Sequence, residues 1–182
     1  AGYSSVKLYF MLGLPGETDA DLVGIADLAN QVVEKYYELP KEKRLQPPSV
    51  TVSVSPFVPK PFTPFQWEAQ PTLEEIRRKQ DVVREATRRN KRVKFNTHDA
   101  RVTTLEAMFA RGDRRLAKLL ERAFRLGARF DGDHACFRYE IWQQAMEMES
   151  IDLAFYAHRE RPREEIPPYA MVDVLVSERY LW

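Results

Sequence analysis

The sequence predicts an α/β protein, with about three parallel strands and their helices followed by a mainly helical extension. Three observations point there. Val6–Leu12 (VKLYFML) is a short apolar run that ends in a glycine-bearing turn and feeds straight into a helical pattern. Ser49–Ser55 (SVTVSVS) alternates cleanly, as a strand does. Residues 72–97 repeat the helix-then-strand order, the signature of parallel α/β units.

Each element follows from local chemistry. Val6–Leu12 is rich in β-branched and aromatic residues and predicts a strand buried on both faces. Gly13–Glu17 is the turn. Thr18 or Asp19 caps the next helix, and Asp19 and Asp21 favour its positive end. Leu22, Ile25, Ala26, Ala29, Val32, Val33 and Tyr36 recur at helical spacing, so this helix runs to about Tyr37. Pro40 and the charged KEKR segment end it. Residues 56–71 hold five prolines among aromatics, which predicts an ordered loop with little regular structure. A Thr-x-x-Glu capping box opens a helix over 72–89, and Lys91–Asn96 is a third short strand. After about His98 the pattern becomes helical, over 102–111, 114–126, 134–148 and 151–157. Prolines at 162, 167 and 168 break the tail, and 170–182 is expected to be partly helical. The expected boundary is therefore 1–97 against 98–182.

Composition narrows the function. The 182 residues carry a formal charge of +1, so bulk electrostatics points to neither nucleic acid nor membrane. No apolar run approaches the roughly 18 residues of a membrane span, and there is no signal-peptide pattern. One cysteine, Cys136, excludes an internal disulfide and suits a reducing cytoplasm. It also excludes a Cys-only iron–sulfur cluster held by this chain. The chain starts at Ala1 and enters a strand almost at once, so it is expected to be a piece of a longer polypeptide.

The turn itself is chemically selective. Glu17-Thr18 follows Gly16, where a phosphate-binding loop needs Lys-Ser or Lys-Thr. Gly13-Leu14-Pro15-Gly16 does not supply the dinucleotide pattern Gly-x-Gly-x-x-Gly. By pattern alone, a tight strand-to-helix turn and a ligand-approaching loop stand level.

Taken together, "MLGLPGETDADL" (11–22), "SPFVPKPFTPFQW" (55–67) and "ARGDRR" (110–115) resemble the radical S-adenosylmethionine superfamily. They look most like an uncharacterised group within it that usually carries an upstream cobalamin-binding-type domain. "RLGARFDGD" (125–133) and "IWQQAMEMESIDLAFYAHRER" (141–161) are similar to that group's C-terminal extension. The resemblance spans nearly the whole chain. It implies the last part of a six-stranded (β/α) barrel, with Val6–Leu12 as fifth strand and Val50–Ser55 as sixth. It further implies S-adenosylmethionine near Leu12, Gly13, Leu14, Pro15, Gly16 and Glu17, with Ser55 and Pro56 beside them. The superfamily motif usually places two residues between its glycine and glutamate. Here there are three, as in the methylthiotransferase-like branch, which leaves open whether Glu17 touches the ligand or orients the loop. The cysteine loop that holds the [4Fe–4S] cluster is expected upstream, in the missing N-terminal region. The chain alone is then expected to be inert, its catalytic residues and substrate unassigned. Cobalamin is an expectation for the longer polypeptide.

Lys60, Thr63, Gln66 and Trp67 stand after a barrel strand, on the face where barrel sites lie, and are candidates for substrate contact. The plainer expectation is that Phe57, Phe62, Phe65 and Trp67 pack the loop. Arg111, Asp113, Arg114 and Arg115 suit an anion or RNA phosphate, but a helix cap with solvated charges is the favoured reading. Asp131, Asp133, His134 and Cys136 match no zinc spacing, so no metal is expected. His98 and His158 are isolated, and Trp142, Met146 and Met148 read as core. RNA or protein binding by the helical region, or a purely structural role, is the alternative to enzyme chemistry.

Overall fold

The structure, a computed structural model, describes residues 3–44 and 46–182. It is α/β, with a three-stranded parallel sheet and seven α-helices among the described residues. The chain divides into two compact units. The first comprises residues up to Phe57 together with Pro71–Ala100; the second comprises Val58–Gln70 and Arg101–Trp182. The proline-rich segment thus groups with the helical unit and not with the sheet.

In the first unit, β1 (Ser5–Leu12), β2 (Ser49–Pro56) and β3 (Val93–Thr97) lie in the order β1-β2-β3. Leu12 pairs with Pro56, and Val52 with both Leu8 and Phe95. α1 (Asp19–Tyr37) and α2 (Leu73–Arg88) connect the strands. Leu22, Ile25, Ala29 and Val33 of α1 and Ile76 and Val83 of α2 meet Leu12, Val50, Val52 and Val54 in one core. Fully burying each such side chain contributes about 1.5–3 kcal/mol. Leu8, Phe10, Val93 and Phe95 pack on the same core. Because strand side chains alternate, Lys7, Tyr9, Met11, Thr51, Ser53, Ser55 and Asn96 are placed on the opposite face. Tyr9 is 74% exposed and Met11 49%.

That face corrects the expectation of a doubly buried β1, in which Leu12 alone is fully buried. β1 pairs on one side only, with β2, and both helices of this unit pack on a single face of the sheet. An apolar run cannot distinguish such a strand from one covered on both faces.

The helix starts show a second difference. Thr18 caps α1 through a complete capping box with Asp21. The Thr18 N–H donates to Asp21 Oδ2 at 2.8 Å, and the Asp21 N–H donates to Thr18 Oγ1 at 3.3 Å. At α2 only half of the expected box forms. Thr72 Oγ1 accepts the Glu75 N–H, but the Glu75 carboxylate turns to Arg78. Arg78 also grips Asp19 with two hydrogen bonds of 2.9 Å, tying the starts of α1 and α2. A bidentate guanidinium partner outcompetes one backbone N–H for a carboxylate.

The second unit contains α3 (Ala100–Ala110), most of which belongs to it, then α4 (Leu116–Arg125), α5 (Tyr139–Met148), α6 (Leu153–Ala157) and α7 (Glu178–Leu181). Its core joins Leu105, Met108, Leu116, Leu119, Ala123, Ile141, Trp142, Ala145, Met146 and Tyr156. Trp142 and Met146 are core as expected, whereas Met148 is 52% exposed. α5 starts five residues later than expected. Asp133 accepts the Ala135 N–H on its carboxylate and the Cys136 and Phe137 N–H groups on its carbonyl. This local turn competes with helix for residues 134–138. In the tail only α7 is helical. No described helix is long and apolar enough to cross a membrane.

Candidate functional site

The Gly13–Glu17 turn follows the C-terminal end of β1. Gly13 has φ +85° and Gly16 φ +77°, both in the left-handed region that favours glycine. A Cβ on Gly13 would also meet Pro71 Cγ at 3.0 Å, while one on Gly16 would meet nothing within 4 Å. The missing Cβ of Gly13 therefore admits the Pro71 ring. Gly13→Ala is expected to cost about 2–3 kcal/mol, combining backbone strain and overpacking. Gly16→Ala should cost about 1–2 kcal/mol from strain alone. Urea unfolding midpoints of the two variants check the order.

Glu17 is the brace of the turn. Its Oε2 accepts both the Gly13 N–H and Lys79 Nζ, each at 2.8 Å. Both side chains of the Glu17–Lys79 pair are only 8% exposed. The Glu17 N–H donates to the Leu14 carbonyl, closing the turn. Leu12 and Gly13 are buried, Leu14 is half-buried, and Pro15 and Gly16 are exposed. Ser55 is half-buried and Pro56 buried. The turn thus offers a ligand Leu14, Pro15 and Gly16, while the carboxylate of Glu17 is committed to the chain itself.

The four substrate candidates lie in the second unit; two serve their own loop and one pairs with α3. Lys60 pairs with Glu106. Thr63 Oγ1 donates to the Lys60 carbonyl at 2.8 Å. Gln66 Oε1 accepts the Phe62 N–H at 3.0 Å, at a residue with φ +61°. Phe62 meets Tyr169 edge-on, Phe65 is 43% exposed, and Phe57 is buried in the first unit. Trp67 differs. It packs edge-on against Trp182, with centroids 5.1 Å apart, and the two rings line a cavity of about 230 Å³ with Pro64, Glu68, Glu160 and Arg161.

The 111–115 cluster divides in two. Asp113 and Arg115 form an ion pair in which Arg115 is exposed, as expected of a solvated charge, and Asp113 is half-buried. The Arg115 guanidinium, with help from the Arg115 N–H and the Tyr156 hydroxyl, pulls the Asp113 carboxyl down to about 2. The sign follows from that direction: the stabilisation is fully present above the ordinary value of 3.8 and is lost as pH falls through 2. Asp113→Asn should flatten the part of the stability–pH curve between about pH 4 and 2, read by denaturant midpoints.

Arg111 overturns the solvated expectation, being fully buried. It donates to the Ala157 carbonyl at 3.2 Å, which the end of α6 leaves without a helical partner, and to the Arg159 carbonyl just beyond at 2.9 Å. Burial pushes its guanidinium down to about 10. Arg161 is also buried and donates to the Arg111 carbonyl at 2.6 Å. Among the described residues no group of His, Cys, Asp or Glu is placed to hold a metal. Cys136 is exposed, and His158 Nδ1 sits 3.0 Å from the Gln70 carbonyl.

Comparison with known proteins adds one relative. The chain is 32% identical over 120 residues to an uncharacterized protein of Methanocaldococcus jannaschii. The match covers 66% of this chain and 24% of that protein, so the chain spans about a quarter of the curated relative it matches. No family model matches, and no solved structure matches.

Two residues central to these sites, Lys79 and Arg161, escaped sequence reasoning, and Arg111 was read as solvated. Lys79 lies on the buried stripe Ile76, Lys79, Gln80, Val83 and Thr87. Arg111 extends the buried positions Thr104, Ala107 and Met108. A charge at helical spacing within an apolar or small-residue stripe was the available signal. Arg161 lies outside any helix and gave none.

Proposed function

We propose that this chain is the C-terminal part of a cytoplasmic radical S-adenosylmethionine enzyme, forming part of the wall of a (β/α) barrel. The observation that supports the reading best is the one-sided sheet. Helices α1 and α2 cover one face, the opposite face carries Tyr9, Met11, Ser53 and Ser55, and the GLPGE turn stands at its C-terminal end. In parallel β/α barrels that end is where sites are built.

Leu14, Pro15 and Gly16 would meet S-adenosylmethionine, offering an apolar edge and backbone without a Cβ. Glu17, held by Lys79, fixes the turn from behind. In such enzymes S-adenosylmethionine and a [4Fe–4S] cluster together supply radical chemistry through reductive cleavage. The chain's single cysteine does not fit that cluster, which needs several thiolates. Its ligands therefore belong to another region of the polypeptide, and this chain alone is inert. Cobalamin bound elsewhere in that polypeptide would extend the chemistry to methylation or rearrangement. The rival RNA-binding reading has less support, because Arg115, Arg122 and Arg125 are each ion-paired within the chain.

The test is anaerobic reconstitution of the longer polypeptide with iron and sulfide, followed by S-adenosylmethionine and dithionite. 5′-Deoxyadenosine is expected from it and not from the 182-residue chain. No product and no cluster absorbance from the longer polypeptide would remove the enzyme reading.

A further inference from the structure

The cavity beside Trp67 is distinguished by a buried cation with unmet hydrogen-bond donors. Arg161 is 6% exposed and lines it. Its guanidinium donates once, through Nη2 to the Arg111 carbonyl. Nη1 and Nε are buried and have no hydrogen-bond partner. Glu165 Oε1 lies 3.6 Å from Nε, too long for a hydrogen bond. That carboxylate is already held by Arg159 through bonds of 2.6 and 2.7 Å. Two guanidiniums, of Arg159 and Arg161, thus share one carboxylate. Burying a charge with unmet donors costs several kcal/mol, and an incoming oxyanion offsets that cost.

The other lining groups select among oxyanions. Glu68 and Glu160 line the same cavity, and among the described residues neither has an ion-pair partner. Two carboxylates repel a polyanion such as phosphate and attract an ammonium. Trp67 and Trp182, set at 84° to each other, supply an apolar corner. Arg163 stacks on Trp182 with its guanidinium 5.1 Å from the ring centroid. The volume, about 230 Å³, lies below the roughly 300–1,000 Å³ of pockets that hold drug-sized ligands.

We infer that this cavity binds a zwitterionic small molecule of the α-amino-acid class: carboxylate on Arg161, ammonium between Glu68 and Glu160, side chain against Trp67 and Trp182. The site does not rest on the proposed radical chemistry. By contrast, the wider depression of about 430 Å³ lined by Arg115, Lys118, Glu149 and Asp152 has most of its charges satisfied. Arg115 pairs with Asp113, Glu149 with Arg122, and Asp152 caps α6.

Intrinsic fluorescence of the full 182-residue chain reads the site, because two of its three tryptophans line it. The non-aromatic L-amino acids are titrated singly through the millimolar range, with N-acetyl and methyl-ester forms and inorganic phosphate in parallel. At least one free amino acid is expected to give a saturable change. Its two blocked forms should each bind at least tenfold more weakly, and phosphate should give no comparable response. Arg161→Gln should abolish the change, but it also disturbs a buried contact. Glu68→Gln, at a half-buried residue, is therefore the deciding variant, with an expected tenfold or greater loss in affinity and an unchanged melting temperature. No saturable response to any free amino acid overturns the inference. So does equal binding of the blocked forms, a phosphate response of equal strength, or full affinity in Glu68→Gln.

Discussion

Replacing Glu17 by Gln is expected to destabilise the sheet-containing unit by about 3–5 kcal/mol, because it strands a buried ammonium. Lys79 Nζ has Glu17 as its ion-pair partner, at 2.8 Å, and both side chains are 8% exposed. The substitution also weakens the acceptor for the Gly13 N–H, so the turn loosens with the pair. Lys79→Met should cost a similar amount, since it leaves the carboxylate buried with one donor fewer. The double variant Glu17→Gln/Lys79→Met should cost clearly less than the sum, because it leaves no isolated charge. Urea denaturation of the four proteins, arranged as a double-mutant cycle, measures this. Additive losses would show that the pair is not coupled. An exposed pair such as Lys35–Glu38 should by contrast change the midpoint very little.

Arg111→Ala is the second large effect, with an expected loss of about 3–5 kcal/mol. A fully buried side chain is removed, which leaves a cavity. The Ala157 and Arg159 carbonyls also lose a charged donor, each such bond contributing about 1.5–3 kcal/mol. Relief of the desolvated charge offsets part of this, since burial already disfavours the charged form of Arg111. Arg111→Met separates the contributions: it keeps most of the volume and removes the charge and the donors. Its expected loss is about 1–2 kcal/mol. Thermal melts followed by near-ultraviolet circular dichroism compare the two. Equal losses would show that hydrogen bonding, not packing, dominates at this position.

Much of the fold was legible because it depends on short-range chemistry. The apolar run ending in Gly13, the alternation of Ser49–Ser55 and the stripe from Leu22 to Val33 each report a local period. The sheet and both connecting helices follow from them. The turn was legible for the same reason: Gly13–Glu17 forms it, closed by the Glu17 N–H on the Leu14 carbonyl. Element boundaries failed where a side chain had two possible partners. Glu75 chose Arg78 over its capping role, and Asp133 held residues 134–138 in a turn.

The site residues divide along the same line. Leu14, Pro15 and Gly16 occupy an exposed or half-buried turn whose conformation is encoded within five residues. What Glu17, Arg111 and Arg161 do is set by atoms distant in the chain. Lys79 stands 62 positions from Glu17, and Arg111 lies 50 positions from Arg161. A sequence shows that a residue carries charge. Whether that charge meets water, a carboxylate or an empty cavity depends on which segments fold against it. Local pattern thus dictates the strands, helices and turn, and long-range packing dictates which charges are buried and which of those keep unmet donors.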